Sequence, residues 1–174
     1  MAVAERNATQ IASALHTLTQ QIDGDVLADA LERKLYSSDA SVYQELPMAV
    51  LRPRHADDLQ KIVAWAAAQG LPIIPRAGGT ILAGQVVGNG VIVDVSRYLH
   101  NYGEYNKQEQ WIELEVGIIQ DDLNDRVAAD GLTFGPDTST SNRCMIGGMI
   151  GNNACGEHSI IPSKNQGSLF IMQR

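Results

Sequence analysis

Two glycine-rich segments about seventy residues apart constrain this chain more than any other feature. The first, Pro75-Arg76-Ala77-Gly78-Gly79-Thr80, follows the apolar run from Leu71 to Ile74. Consecutive glycines let the backbone take positive φ and turn successive N–H groups toward one point. Such a nest of amides holds an anion without needing a lysine. Thr80 adds a hydroxyl donor and Arg76 a permanent cation. Leu82-Ala83-Gly84-Gln85 then keeps side chains small, so that a ligand can lie flat against the backbone. The segment lacks the Gly-Lys-Ser/Thr ending of a Walker loop and the G-x-G-x-x-G spacing of the nicotinamide-type turn.

The second segment opens with Gly135-Pro136-Asp137-Thr138-Ser139-Thr140-Ser141 and continues through Ile146-Gly147-Gly148-Met149-Ile150-Gly151-Asn152-Asn153-Ala154-Cys155-Gly156. This glycine content makes it a poor packing element. Its asparagines tolerate left-handed backbone angles and bring amide groups that hydrogen-bond ligands. Taken singly, either segment matches ordinary turn punctuation. Two of them, each following a structured stretch, are hard to call accidental.

Between and before them the pattern is regular. Ile11, Leu15, Leu18 and Ile22 recur at helical spacing over residues 5–22. Asp25 is expected to cap a second helix carrying Val26, Leu27, Ala30, Leu31 and Leu35. Met48 to Leu51 is expected as a strand stopped by Pro53, and Asp57 and Asp58 as the opening of a helix that Gly70 closes. Strands are expected at Leu71–Ile74, Val91–Val95 and Trp111–Val116, and a helix from Asp121 to Ala129 ahead of Gly131. The expected class is α+β: a helical lead-in over residues 1–42, then a small mixed sheet flanked by helices over 43–174.

Length and composition fit one domain. The 174 residues, 44% hydrophobic, are enough to bury a core without disulfides or metal. A net charge of −7 argues against nucleic acid as a partner, since counterion release needs a basic patch. No signal peptide and no apolar run of membrane-spanning length is present, so the expected location is cytoplasmic. Cys144 and Cys155 are then expected as buried thiols, and the Asn7-Ala8-Thr9 sequon carries no meaning. His16, His55, His100 and His158 have no partner at metal-ligand spacing, so no metal site is expected. Asp121, Asp122 and Asp125 are explained by the preference of a helix N-terminus for negative charge.

With these residues in place the chain resembles the FAD-linked dehydrogenases and oxidases of the vanillyl-alcohol oxidase type, whose flavin domain is termed PCMH-type. It is most similar to their D-lactate and D-2-hydroxyacid dehydrogenase branch, including long members with a C-terminal iron–sulfur region. The resemblance rests on Tyr36-Ser37-Ser38-Asp39-Ala40-Ser41, on Pro75 to Gln85, on Phe134-Gly135-Pro136-Asp137 and on Ile146 to Ser159. It implies that Arg76, Ala77, Gly78, Gly79 and Thr80 wrap the FAD pyrophosphate, with Ala83, Gly84 and Gln85 along the same ligand. It implies that Pro136, Asp137 and Ser141 approach from another side. Ile146, Gly147, Gly148, Asn153, Ala154 and Gly156 would complete the cradle.

Three departures carry consequences. Ala77 stands where the family has glycine, which requires a negative φ there. Ile81 replaces a common serine. Thr80 takes the place of a histidine that in some relatives is joined to the flavin, so FAD is expected to be non-covalent. The implied activity is oxidation of D-lactate or a related 2-hydroxy acid, with hydride passing from substrate Cα to flavin N5 and on to an electron acceptor that stays unspecified. After residue 160 the pattern drifts from the family, and the chain is expected to be a C-terminally truncated fragment without a substrate site, hence with no assigned catalytic residue. An iron–sulfur cluster, or peripheral attachment to a membrane, would belong only to a longer parent. Two alternatives stay open: a non-catalytic remnant, and an NADPH-using flavin reductase of the same superfamily.

Overall fold

The apolar strand Val91–Asp94 (β4) is buried at every position and lies inside a sheet. This computed structural model describes residues 8–156 and 167–173. They divide into two compact units, with the boundary between Tyr98 and Leu99.

In the first unit, helix Ala8–Thr19 (α1) precedes strand Asp25–Leu27 (β1) and helix Ala30–Leu35 (α2). Strand Ala49–Arg52 (β2), helix Ala56–Gln69 (α3) and strand Ile73–Arg76 (β3) lead to β4. The sheet order is β1-β2-β4-β3. β1 is antiparallel to β2, while β2 and β3 both run parallel to β4. Leu15 and Leu18 of α1 and Ile62 and Trp65 of α3 pack with Leu51 and Val91 of the sheet in its core. Gly70 closes α3 at φ 62°, and the amides of Gly70 and Leu71 return to the Ala67 and Ala66 carbonyls. Parallel neighbours need a crossover connection, usually a helix. Between β3 and β4 that crossover is the glycine-rich stretch 77–90, which contains no helix or strand.

The helix expected from Asp25 is corrected. Asp25–Leu27 is paired with Val50–Arg52, because the Asp25 carboxylate accepts from the Tyr98 hydroxyl at 3.0 Å and faces Arg52 at 3.9 Å. Asp29 is the residue that caps α2, its carboxylate accepting from the Leu31 and Glu32 amides at 3.0 Å each.

The second unit holds strands Tyr102–Asn106 (β5) and Trp111–Leu114 (β6), helix Gln120–Ala128 (α4), strand Leu132–Phe134 (β7), helix Ile146–Gly151 (α5) and strand Gly167–Gln173 (β8). The order is β5-β6-β8-β7, with β5 antiparallel to β6 and β8 parallel to both its neighbours. Ile112, Leu114, Leu123, Val127, Ile146 and Met149 form its core. β5, β7, α5 and β8 add to the elements expected from pattern alone. Both units are α+β, as expected. His158 and the drift from family pattern at residues 160–166 lie outside the described residues.

Candidate functional site

Each unit carries one glycine-rich loop, and the two are built differently.

In the first unit, Gly79 has φ 62° and Gly84 φ 70°, the left-handed region that glycine adopts at no steric cost. Outside glycine, positive φ occurs among the described residues at Gln110 and Asn153, so Ala77 meets the condition its side chain imposes. Among the described residues, no carbonyl accepts from the amides of Ala77, Gly78, Gly79 or Thr80. A run of four such donors just past a parallel strand has the capacity to bind an anion. Gly78, Ala83 and Gln85 are exposed, and Arg76, Thr80 and Gly84 half-buried. A Cβ on Gly84 would lie 2.5 Å from the Tyr43 ring, so that glycine also permits a close approach.

The loop is held from outside. The Gly79 carbonyl accepts from the Ala40 amide at 3.1 Å, and the Arg76 guanidinium donates to the Tyr36 carbonyl at 3.3 Å. The same guanidinium lies 5.2 Å from the Tyr36 ring centroid. The Tyr36 hydroxyl donates to Asp94 at 2.5 Å and accepts from Arg52 at 3.0 and 3.2 Å. Burial, together with the Asp94 carboxylate that accepts its proton, holds the Tyr36 phenol above its ordinary pKa. Segment 36–41 is a folded turn: the Asp39 carboxylate accepts from the Ser41 amide, and buried Ser37 accepts from Gln44.

In the second unit the organiser is Gln120, the fully buried first residue of α4. Its amide nitrogen donates to the Pro136 carbonyl, and its amide oxygen accepts from the Thr138 hydroxyl at 2.8 Å and the Cys144 thiol at 3.3 Å. Its backbone N–H meets the Cys144 carbonyl, and that of Asp121 meets the Ser141 carbonyl. Pro136, Thr138, Ser141 and Cys144 are thereby tied to one helix start. The expected site residues of this half lie in the same unit: Pro136 and Ser141 half-buried, Asp137 exposed, Ile146 buried inside α5 and Gly148 exposed on it.

Here glycine serves closeness rather than conformation. A Cβ on Gly147 would lie 2.6 Å from the Val116 Cβ, and one on Gly156 would lie 1.3 Å from the Asp137 carbonyl oxygen. Asn153 takes φ 48°, as its residue type allows, and Ala154 returns its amide to the Met149 carbonyl. Cys144 is buried, as expected, but Cys155 is exposed, which corrects the expectation of two buried thiols. It lies beyond the end of α5 at Gly151.

The histidines also differ from expectation in one respect. His55, 32 residues from Asp23 in sequence, meets it at 2.9 Å and lies 3.8 Å from buried Asp58. Asp58 already accepts from the Asp23 and Arg54 amides at 3.1 and 2.9 Å, which ties the start of α3 to the chain before it. Sequence spacing could not show this group, nor the roles of Gln120 and of the Tyr36 side chain.

Residues 47–168, spanning both loops, match a family model described as an FAD binding domain. The chain belongs to the FAD-binding domain family, and FAD is the cofactor that goes with it. D-2-hydroxyglutarate dehydrogenase of Escherichia coli is 40% identical over 154 residues, 86% of this chain and 15% of that protein. The enzyme of the same name from Haemophilus influenzae is 36% identical over 157 residues, 88% of this chain and 15% of that protein. The chain therefore spans about one-seventh of the length of these relatives. A solved alkyldihydroxyacetonephosphate synthase superposes with TM-score 0.73 at 18% identity, covering 90% of this chain and 31% of that one, which establishes a shared fold.

Proposed function

We propose that this chain is the cofactor-anchoring part of a flavin-dependent dehydrogenase acting on a D-2-hydroxy acid of the D-2-hydroxyglutarate or D-lactate type. The observation that carries the reading is the run of amides at Ala77–Thr80 that no carbonyl of the described residues accepts from, in a chain of the FAD-binding family whose relatives bear those enzyme names. These residues suit a diphosphate: four backbone donors, the Thr80 hydroxyl, and a turn that Gly79 takes at φ 62°.

In this reading Ala77, Gly78, Gly79 and Thr80 bind the diphosphate through main-chain N–H groups, and Ala83, Gly84 and Gln85 leave a low wall beside it. Pro136, Asp137 and Ser141, with Gly147, Gly148, Asn153, Ala154 and Gly156, form a second cofactor-facing surface whose shape Gln120 sets. Thr80 offers no nucleophile of the kind a covalent flavin link uses, so binding is non-covalent. FAD supplies the hydride acceptor for the substrate Cα–H in the whole enzyme. Residues 43–174 are then part of the flavin domain, with 1–42 as its lead-in. The substrate-binding residues belong to portions of the longer relatives that this chain does not match.

The test is to add FAD to the purified chain, desalt it, and record the visible spectrum before and after acid precipitation. A retained flavin band released by acid supports non-covalent anchoring. A colourless chain after desalting overturns it. In a full-length protein containing this segment, bleaching by D-2-hydroxyglutarate or D-lactate, and not by the L-isomers, would establish the substrate class.

A further inference from the structure

Buried Asp94 has no part in the proposed cofactor contacts, and neither does the Tyr36 side chain. Yet both are engaged in a network that ends at the first glycine-rich loop. Asp94 closes β4, directly opposite Arg76 in the strand register. It is 3% exposed, and its two carboxylate oxygens accept from the Ser96 amide at 2.8 Å and the Tyr36 hydroxyl at 2.5 Å. Arg52 completes the charge balance, 3.7 Å from Asp94 and 3.6 Å from Glu32.

Two guanidiniums lie near the Tyr36 ring, with Arg52 5.5 Å and Arg76 5.2 Å from its centroid. The Arg76 guanidinium also abuts Gly79, where an added Cβ would lie 3.0 Å from it. A second tether runs from the Ala40 amide to the Gly79 carbonyl. Exposed loops ordinarily sample many backbone states, and ordering them on binding costs affinity. A loop already gripped at Arg76 and Gly79 avoids part of that cost.

We propose that Tyr36 is a positioning residue for the cofactor's diphosphate: its carbonyl and ring face hold Arg76 against Gly79, and its hydroxyl anchors that stack to Asp94 and Arg52. The proposal rests on the reading of Ala77–Thr80 as the diphosphate loop. In this arrangement Arg76 shapes the loop from behind, and the main-chain amides contact the ligand. Tyr36→Phe keeps ring and carbonyl and removes the anchor. Tyr36→Leu removes the ring as well.

The experiment uses the full chain. Hydrogen–deuterium exchange is measured without cofactor, and FAD affinity by titration of flavin fluorescence. Tyr36→Leu is expected to speed exchange over residues 76–82 and to weaken FAD about tenfold, equivalent to ~1.4 kcal/mol. Exchange in α3 and β4 stays as in the unmodified chain. Tyr36→Phe gives the same pattern at smaller amplitude, and decides the matter if Tyr36→Leu does not fold. Exchange that rises uniformly across residues 1–98, or loop exchange and FAD affinity both unchanged, overturns the proposal. If the unmodified chain binds no FAD, the cofactor reading falls, while the loop's exchange rates still report whether Tyr36 positions it.

Discussion

The two glycine-rich loops use the same residue for opposite reasons. In the first, Gly79 and Gly84 take backbone angles near φ 60–70°, Gly84 also makes room for the Tyr43 ring, and the loop is held by the Ala40 amide and by the Tyr36 carbonyl and ring. In the second, Gly147 and Gly156 are needed because other chain atoms occupy the space of a Cβ, and the scaffold is one buried amide, Gln120. A conformational requirement is soft, since a substituted residue can adopt left-handed angles at ~1–2 kcal/mol. A steric requirement against main-chain atoms is hard, because the neighbour cannot rotate away. The loops should therefore respond to alanine very differently.

The largest effect is expected at Gly156→Ala. Its Cβ would sit 1.3 Å from the Asp137 carbonyl oxygen, so the two segments must separate. The cost exceeds the ~1–3 kcal/mol usual for overpacking, read as a collapse of the urea midpoint. A near-normal midpoint would break the contrast drawn between the loops. Gln120→Leu comes next. It leaves the half-buried Pro136 carbonyl and Thr138 hydroxyl without their partner, each at less than the ~1–3 kcal/mol that a fully buried unsatisfied group costs. Residues 136–144 should lose exchange protection, and the first loop should not.

How much of this was legible beforehand follows the same division. α3 with its Gly70 stop, the buried strand β4 and alternating β6 are local patterns, and the structure reproduces them within a few residues. β5 was hidden because Tyr102-Gly-Glu-Tyr-Asn lacks an apolar alternation and, among the described residues, pairs with β6 at the edge of its sheet. β8 depends on pairing with β6 and β7 across a long sequence gap. In α5, Ile146 and Met149 lie at helical spacing and are buried, but Gly147, Gly148 and Gly151 masked that signal. The glycine loops were visible by composition. Gln120 and Tyr36 were not, because their partners lie 16 to 58 residues away and carry no spacing rule.

Gly79→Ala sharpens the comparison from the other side. Its φ of 62° costs alanine ~1–2 kcal/mol, and the atoms nearest the added Cβ belong to the Arg76 guanidinium, the far end of a flexible side chain. Gly79→Asn should lose less, since asparagine tolerates that region better. A loss at Gly79→Ala as large as that at Gly156→Ala would show that the first loop is also sterically closed.

The smallest effect is expected at a cap of the first unit, away from both loops. The hydrogen bond that His55 donates to Asp23 raises the imidazole above its ordinary 6.5, helped by the charges of Asp58, Asp23 and Asp57. Reciprocally, the hydrogen bond from His55 lowers the Asp23 carboxyl below its ordinary 3.8, with the charges of Lys61 and Arg54 adding to it. A raised histidine contributes stability in full below 6.5 and loses it as pH climbs through the folded value. A lowered aspartate contributes above 3.8 and loses it as pH drops through its own folded value. The pair is therefore worth most between 3.8 and 6.5. Both groups face solvent, so screening keeps the effect small. The Tm difference between the unmodified chain and His55→Gln should peak in that window, shrink on the alkaline side, and fall with added salt. A difference that persists undiminished above the histidine titration would mean that His55 acts at the α3 cap by shape rather than by charge.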